Sequence, residues 1–177
     1  MPNQPLAYFI TFSTYGTWLH GAEPGSVDRE HNQFGSPLLE SNDETRCRDR
    51  EQMTQPQYQL DAPRRAVVRD DVVEECHFRG WNLLALHVRS NHVHVVVTTE
   101  QDPEFVMRNC KAHASQQLTK AGFDSRERKR WTRHGSTKYL WTWAAVVDKI
   151  EYTLHRQGDV MALYEGEWRT LVCEDAP

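Results

Sequence analysis

The sequence predicts an α+β domain, an antiparallel sheet with helices packed on it, and three observations carry that expectation. Segments with the aromatic and β-branched bias of strands alternate with longer segments of helical period. Two of the strand segments are separated only by Arg89-Ser90-Asn91, a connection short enough to demand an antiparallel hairpin. The 177 residues make one domain with a real core and are too few for two independently stable domains and a linker.

The first strand is Ala7-Tyr8-Phe9-Ile10-Thr11-Phe12-Ser13-Thr14, ended by the turn pair Tyr15-Gly16. From Gly21 to about Pro63 no apolar period persists, and Pro24, Pro37, Pro56 and Pro63 punctuate an irregular insertion. Asp61-Ala62-Pro63 reads as a helix entry, with Asp as cap and Pro in the first turn. Val67, Val68, Val72, Val73 and Cys76 then recur on one side until Gly80. The hairpin follows as Trp81–Val88 and His92–Thr98. Pro103 opens a second helix that ends at Ala121-Gly122, with Lys111 and Ser115 away from its apolar face. After a basic loop over 125–136, Tyr139–Trp143 reads as a short fourth strand and Ala144 to about Gln157 as a third helix, stopped by Gly158. These elements make one domain over 1–158, interrupted at about 21–63 and followed by a C-terminal tail over 159–177. No internal repeat or low-complexity segment appears.

Composition narrows the function classes. No window approaches the roughly 18 consecutive apolar residues of a membrane span, and the N-terminus lacks a secretory signal, so a cytoplasmic protein without membrane contact is expected. Cys47, Cys76, Cys110 and Cys173 lack the close spacing of a zinc knuckle or redox pair. The formal charge of −4 hides an asymmetry: Glu23 to Glu75 holds 13 acidic and 7 basic residues, whereas Arg108 to Lys138 holds 9 basic and 2 acidic. An anionic partner is therefore expected on the second half.

The sharpest chemical signal is His92-Val93-His94 within a strand. Alternation sends both imidazoles to one face, roughly 6.5–7 Å apart at the backbone, close enough to share a cation, while Val93 and Val95 enter the core. The segment from Arg89 to Val97 resembles the His-hydrophobic-His strand of the HUH single-tyrosine transposases, including the REP-associated tyrosine transposases, where an Asn commonly precedes the first His. The opening strand with Thr11 to Leu19, Lys111 on the helix after the His strand and Tyr152 in the last helix follow in the family's order, so the resemblance spans about Tyr8 to Gly158.

The resemblance implies a ferredoxin-like or RNA-recognition-like sheet, a transposase fold, that cleaves and rejoins single-stranded DNA, at a hairpin end of a mobile or repeated element in the bacterial cytoplasm or nucleoid. It also implies Mg²⁺ or Mn²⁺. A cation on His92 and His94 would polarise a phosphate for attack by Tyr152, leaving a 5′-phosphotyrosine. The resemblance places a Gln ligand one helical turn after the Tyr, but Arg156 occupies that spacing and cannot bind a cation. Helical geometry favours His155 as third ligand and side-chain identity favours Gln157; both stand. Arg128, Lys129, Arg130, Trp131, Arg133 and Lys138 are expected to meet DNA, with Lys111 and Ser115 holding a phosphate near the metal. His87 becomes a supporting partner if the strand register brings it near. Relatives act as monomers or homodimers, and the sequence admits both. Two other readings remain: a metal-dependent hydrolase that uses water and dispenses with Tyr152, and a DNA-binding regulator without catalysis.

Overall fold

A computed structural model describes residues 4–17 and 53–174. Its elements are β1 (Ala7–Thr14), α1 (Ala62–Phe78), β2 (Asn82–Val88), β3 (His92–Thr98), α2 (Pro103–Lys120), β4 (Trp131–Leu140), α3 (Trp143–His155), β5 (Ala162–Glu165) and α4 (Arg169–Glu174). The strands form one sheet in the order β4-β1-β3-β2-β5, every neighbouring pair antiparallel. The expected α+β class is therefore observed, and the βαββαβ succession of the first six elements is ferredoxin-like.

Alternation along the strands divides the core between the two faces. Ile10, Phe12, Val93, Val95 and Val97 pack with Val68, Val72 and Cys76 of α1 and Val106, Met107, Cys110 and Ala114 of α2. On the opposite face Phe9, Val96, Leu84 and Leu140 pack with Val146, Ile150 and Leu154 of α3. The three longer helices begin where the sequence supplies an oxygen for their free N–H groups: Asp61 accepts from Arg64, Asp102 from Glu104 and Phe105, and Thr142 from Ala145. No helix among the described residues is long and apolar enough to cross a membrane.

Three expectations change. The fourth strand is not Tyr139–Trp143 but Trp131–Leu140, so half of the presumed basic loop is strand. This is an edge strand with one neighbour and a largely exposed surface, so charged and polar residues fill it without the alternation that marks a half-buried strand. Trp143 begins α3 instead, because Thr142 caps that helix. Beyond Gly158, whose φ of +75° lets the chain reverse, β5 adds to β2 rather than hanging as a tail. Four residues without a buried face give little sequence signal.

The insertion expected over 21–63 lies mostly outside the described residues, as do Trp18, Leu19, His20, His31 and Cys47. Its last part belongs to the core. Tyr58 and Leu60 are buried, their N–H groups bond to the carbonyls of Tyr15 and Ser90, and the Tyr58 hydroxyl bonds to Asp124.

Candidate active site

The site lies on the α3 face of the sheet, and strand register builds it. His94, in the central strand, stands opposite Thr11 of β1 on one side and His87 of β2 on the other. Thr11 in turn faces Ser136 of β4, and His87 faces Leu163 of β5. A single cross-strand row thus reads Ser136, Thr11, His94, His87, Leu163. His92 lies two residues along β3, its ring centroid 4.7 Å from that of His94.

Each imidazole is held. His92 Nδ1 donates to Asn91 Oδ1 at 2.7 Å, which leaves its Nε2 free of a proton. His94 Nδ1 meets the Thr11 hydroxyl at 2.8 Å, and its Nε2 lies 3.0 Å from Gln157 Oε1. The orientation of the Gln157 amide follows from its other partners. Its Nε2 donates to the carbonyls of Tyr152 and Arg156 at the open end of α3, and carbonyls can only accept, so Oε1 must face the imidazole.

Burial pushes the pKa of His94 down to about 3, with the neighbouring His92 charge adding to the effect and Gln157 opposing it. Burial and the Arg89 guanidinium lower His92 in the same direction, again against Gln157. Both rings are therefore neutral near pH 7, the form in which imidazole binds a metal.

Tyr152 is the tyrosine whose ring meets this group, 5.6 Å from His94 and 5.9 Å edge-on to Phe9. Lys149, one turn earlier on α3, places Nζ 5.4 Å from the centre of the Tyr152 ring. The other tyrosines lie elsewhere. Tyr8 is buried among the α1/α2 core, Tyr15 receives the Thr54 N–H, Tyr139 is on the edge strand and Tyr164 packs on the opposite face. Burial and Asp124 push Tyr58 up to about 12.

Of the two candidates for third ligand, only Gln157 reaches the imidazoles. His155 is exposed, with Nε2 3.9 Å from Glu151 on the helix surface. Arg156 turns back to Asp148, bonding its carboxylate at 2.6 Å and its carbonyl at 2.9 Å.

The donor set suits a hard or borderline cation. Adjacent ligands of an octahedral site with bonds of about 2.1 Å are about 3 Å apart; His94 Nε2 donates its proton to Gln157 Oε1 at 3.0 Å, so a cation between the two atoms would require that proton to move to Nδ1, where the Thr11 hydroxyl would accept it. Among the described residues, no group of three or more His, Cys, Asp or Glu side chains is arranged to hold a metal. Two imidazoles and a carboxamide, completed by phosphate and water oxygens, fit Mn²⁺ well and Mg²⁺ less closely.

The basic segment divides differently from expectation. Lys111 and Ser115 do not come near the imidazoles, because α2 packs on the other face of the sheet. Lys111 Nζ donates to the carbonyls of Thr132 and His134 at 3.1 Å, and burial lowers its pKa to about 8. Ser115 bonds to the Lys111 carbonyl and receives the Trp131 indole N–H. Trp131 packs edge-on to Phe12 rather than offering a free ring. Arg128 and Lys129 bind residues 54–57, and Arg130 is buried against Thr119, Ser125 and Asp124. Arg133 and Lys138 remain exposed. Lys138 pairs with Phe9 and thus shares the face of His94.

Sequence reasoning missed Thr11, which steadies His94, and Lys149. A period-two count from Phe9 places Thr11 on the face opposite Ile10 and Phe12, but its partner across the sheet needed the register.

No family model and no curated protein matches the sequence. Among solved structures, the chain is similar to a REP-associated tyrosine transposase bound to a REP hairpin, at 13% identity and a TM-score of 0.49, over 86% of this chain and 67% of that one.

Proposed function

We propose that this protein is a metal-dependent tyrosine strand transferase acting on single-stranded DNA, the activity implied by the HUH resemblance of its His92-Val93-His94 strand. The observation that carries the reading is the convergence of His94 Nε2 and Gln157 Oε1, 3.0 Å apart, beside the Tyr152 ring. That arrangement joins a cation site to a nucleophile from two separate elements.

A divalent cation held by His92, His94 and Gln157 would supply Lewis acidity to a bound phosphate oxygen. Tyr152 then attacks phosphorus in line: the Tyr152 Oη–P bond forms, the bond from phosphorus to the 3′ oxygen breaks, and the phosphate stays on Tyr152 as a 5′-phosphotyrosine. The phenolic proton passes to solvent and the departing oxygen leaves as a 3′-hydroxyl. Lys149 Nζ, paired with Asp148 at 2.8 Å, lies 5.4 Å from the centre of the Tyr152 ring, where an ammonium would favour phenolate character as it develops in a phenol whose ordinary pKa is about 10. A second 3′-hydroxyl reverses the step and joins strands without a further energy source.

Substrate access follows from what α3 leaves uncovered. The helix packs chiefly over β2 and β3, while Ser136 and Lys138 of β4 are exposed on the same face beside Thr11 and Phe9. A strand lying along β1 and β4 meets Lys138 and Lys149 on its way to the imidazoles. The hairpin form of the DNA is taken from the family resemblance.

The test is denaturing electrophoresis after incubation with labelled single-stranded hairpin DNA from the flanks of the protein's own gene, with Mn²⁺ or Mg²⁺. A metal-dependent covalent adduct, absent in Tyr152→Phe and in His92→Ala, supports the reading. Cleavage without an adduct, unchanged in Tyr152→Phe, would establish the hydrolase instead. Binding without cleavage, intact in His92→Ala, would establish the regulator.

A further inference from the structure

Gln157 does not sit on α3. It lies in the turn between α3 and β5, where helical geometry no longer dictates its direction, so something else must hold it at His94. Two residues from the end of β2 and the start of the hairpin connection touch that turn on both sides of Gln157.

His87 is fully buried, and both of its ring nitrogens are engaged. Its Nδ1 lies 3.0 Å from the carbonyl of Thr153, which can only accept, so Nδ1 carries the proton. Its Nε2 accepts from the Met161 backbone N–H at 3.1 Å. One imidazole therefore ties the last turn of α3, four residues before Gln157, to the chain four residues after it. Arg89 adds a third tie, donating from Nη1 to the Asp159 carbonyl at 2.9 Å. The register places His87 directly opposite His94, so the strand position that fixes the tie also fixes the ligand.

We propose that His87, assisted by Arg89, is a positioning residue: a clasp that holds the turn 153–161 against β2 and thereby sets the distance of Gln157 from His94. The inference rests on reading His92, His94 and Gln157 as the cation site. Both bonds need a donor and an acceptor on one side chain, which neutral imidazole supplies from its two nitrogens. Leu would fill the space and make neither, and Asn would keep a donor for Thr153 while leaving the Met161 N–H without an acceptor.

The experiment combines backbone amide exchange with Mn²⁺ titration followed by the paramagnetic resonance of the free ion, on the full chain. His87→Leu should speed exchange of the Met161 amide at least tenfold and weaken Mn²⁺ binding by about 10–100-fold, the range for lost supporting contacts in metal sites. His87→Asn should fall between His87→Leu and the unaltered protein in affinity, and it is the variant to read if His87→Leu does not fold. Val72→Ala, a core truncation on the opposite face, controls for general loss of stability and should leave Mn²⁺ affinity within twofold. Unchanged exchange at Met161 would overturn the clasp. So would faster exchange with unaltered Mn²⁺ affinity. If the unaltered protein binds no Mn²⁺, the cation-site reading fails and the clasp's role toward it fails with it, while the exchange data still report whether the tie exists.

Discussion

Replacing Gln157 by Leu and by Glu tests the site most sharply, because Leu should weaken cation binding and Glu should not. Gln157 contributes two things: an oxygen 3.0 Å from His94 Nε2, and an amide that bonds the carbonyls of Tyr152 and Arg156 at the helix end. Leu removes both. The lost helix-end bonds cost about 1 kcal/mol of stability, since those groups are partly exposed and water replaces the amide. The lost ligand should weaken Mn²⁺ at least tenfold, about 1.4 kcal/mol or more. Glu also forfeits the two bonds, and so costs similar stability, but it brings a charged oxygen to the same place and should bind Mn²⁺ as tightly as Gln or more tightly. His155→Ala, which alters an exposed side chain facing Glu151, should change nothing. Isothermal calorimetry with Mn²⁺ on the four proteins, alongside urea denaturation, separates the effects. Weakened binding in His155→Ala with full binding in Gln157→Leu would refute the assignment. Equal weakening in Leu and Glu would show that only the fold of the turn matters.

Three further outcomes follow from the same structure. Thr11→Val keeps the β-branched shape but removes the hydroxyl that meets His94 Nδ1, and should weaken Mn²⁺ by about 10-fold with little change in secondary structure, as calorimetry and circular dichroism would show. Lys138→Gln should reduce binding of labelled single-stranded DNA and flatten its salt dependence, whereas Arg128→Gln should chiefly lower the thermal midpoint, because Arg128 holds residues 55–57; the reverse ranking in filter binding would put the DNA on the other face. Asp71, buried in α1 with Oδ2 unpaired, has its pKa raised to about 6 by burial, the nearby His113 opposing. Between the unfolded value of 3.8 and about 6 the folded chain binds a proton that the unfolded chain has released, so stability falls as pH rises through that window. Asp71→Asn should therefore exceed the parent by up to about 3 kcal/mol at pH 8 and match it below pH 4, with urea denaturation as the measure; lower stability of the variant at pH 8 would mean that Asp71 works as a paired anion.

What the sequence revealed depended on how local the cause was. The face of His92 and His94, the cap Asp61 and the valines of β3 follow from period and neighbouring residues alone. The start of β4 did not, because an edge strand is stabilised from one side and its exposed residues, Arg133, His134, Ser136 and Lys138, are those of a solvated loop. The same gap misplaced Lys111 and Ser115. Counting along α2 showed that they avoid the helix's apolar face, but only the sheet topology shows that α2 and the imidazoles lie on opposite sides of β3. Thr11 and His87 needed the register, which depends on pairings far apart in the chain.

With Gln157 taken as the third ligand, the end of α3 accounts for one residue of sequence offset. On a continuing α-helix Gln157 would point about 140° away from Tyr152, whereas a residue four positions on would lie about 40° away. Arg156 holds that nearer position and is neutralised by Asp148, two turns back on the same helix, so it neither blocks nor joins the imidazoles. The helix stops at His155, and with Gly158 in the left-handed region the chain is free of helical phase where Gln157 stands. Freedom alone would scatter the side chain, at the usual entropic cost of ordering it on a cation. The bonds from His87 and Arg89 across the turn remove that freedom before any cation arrives. Ending the helix early and tying the turn to β2 therefore act together, and a substitution that lengthens α3, such as Gly158→Ala, should turn Gln157 away from His94 and weaken Mn²⁺ even though no ligand is altered.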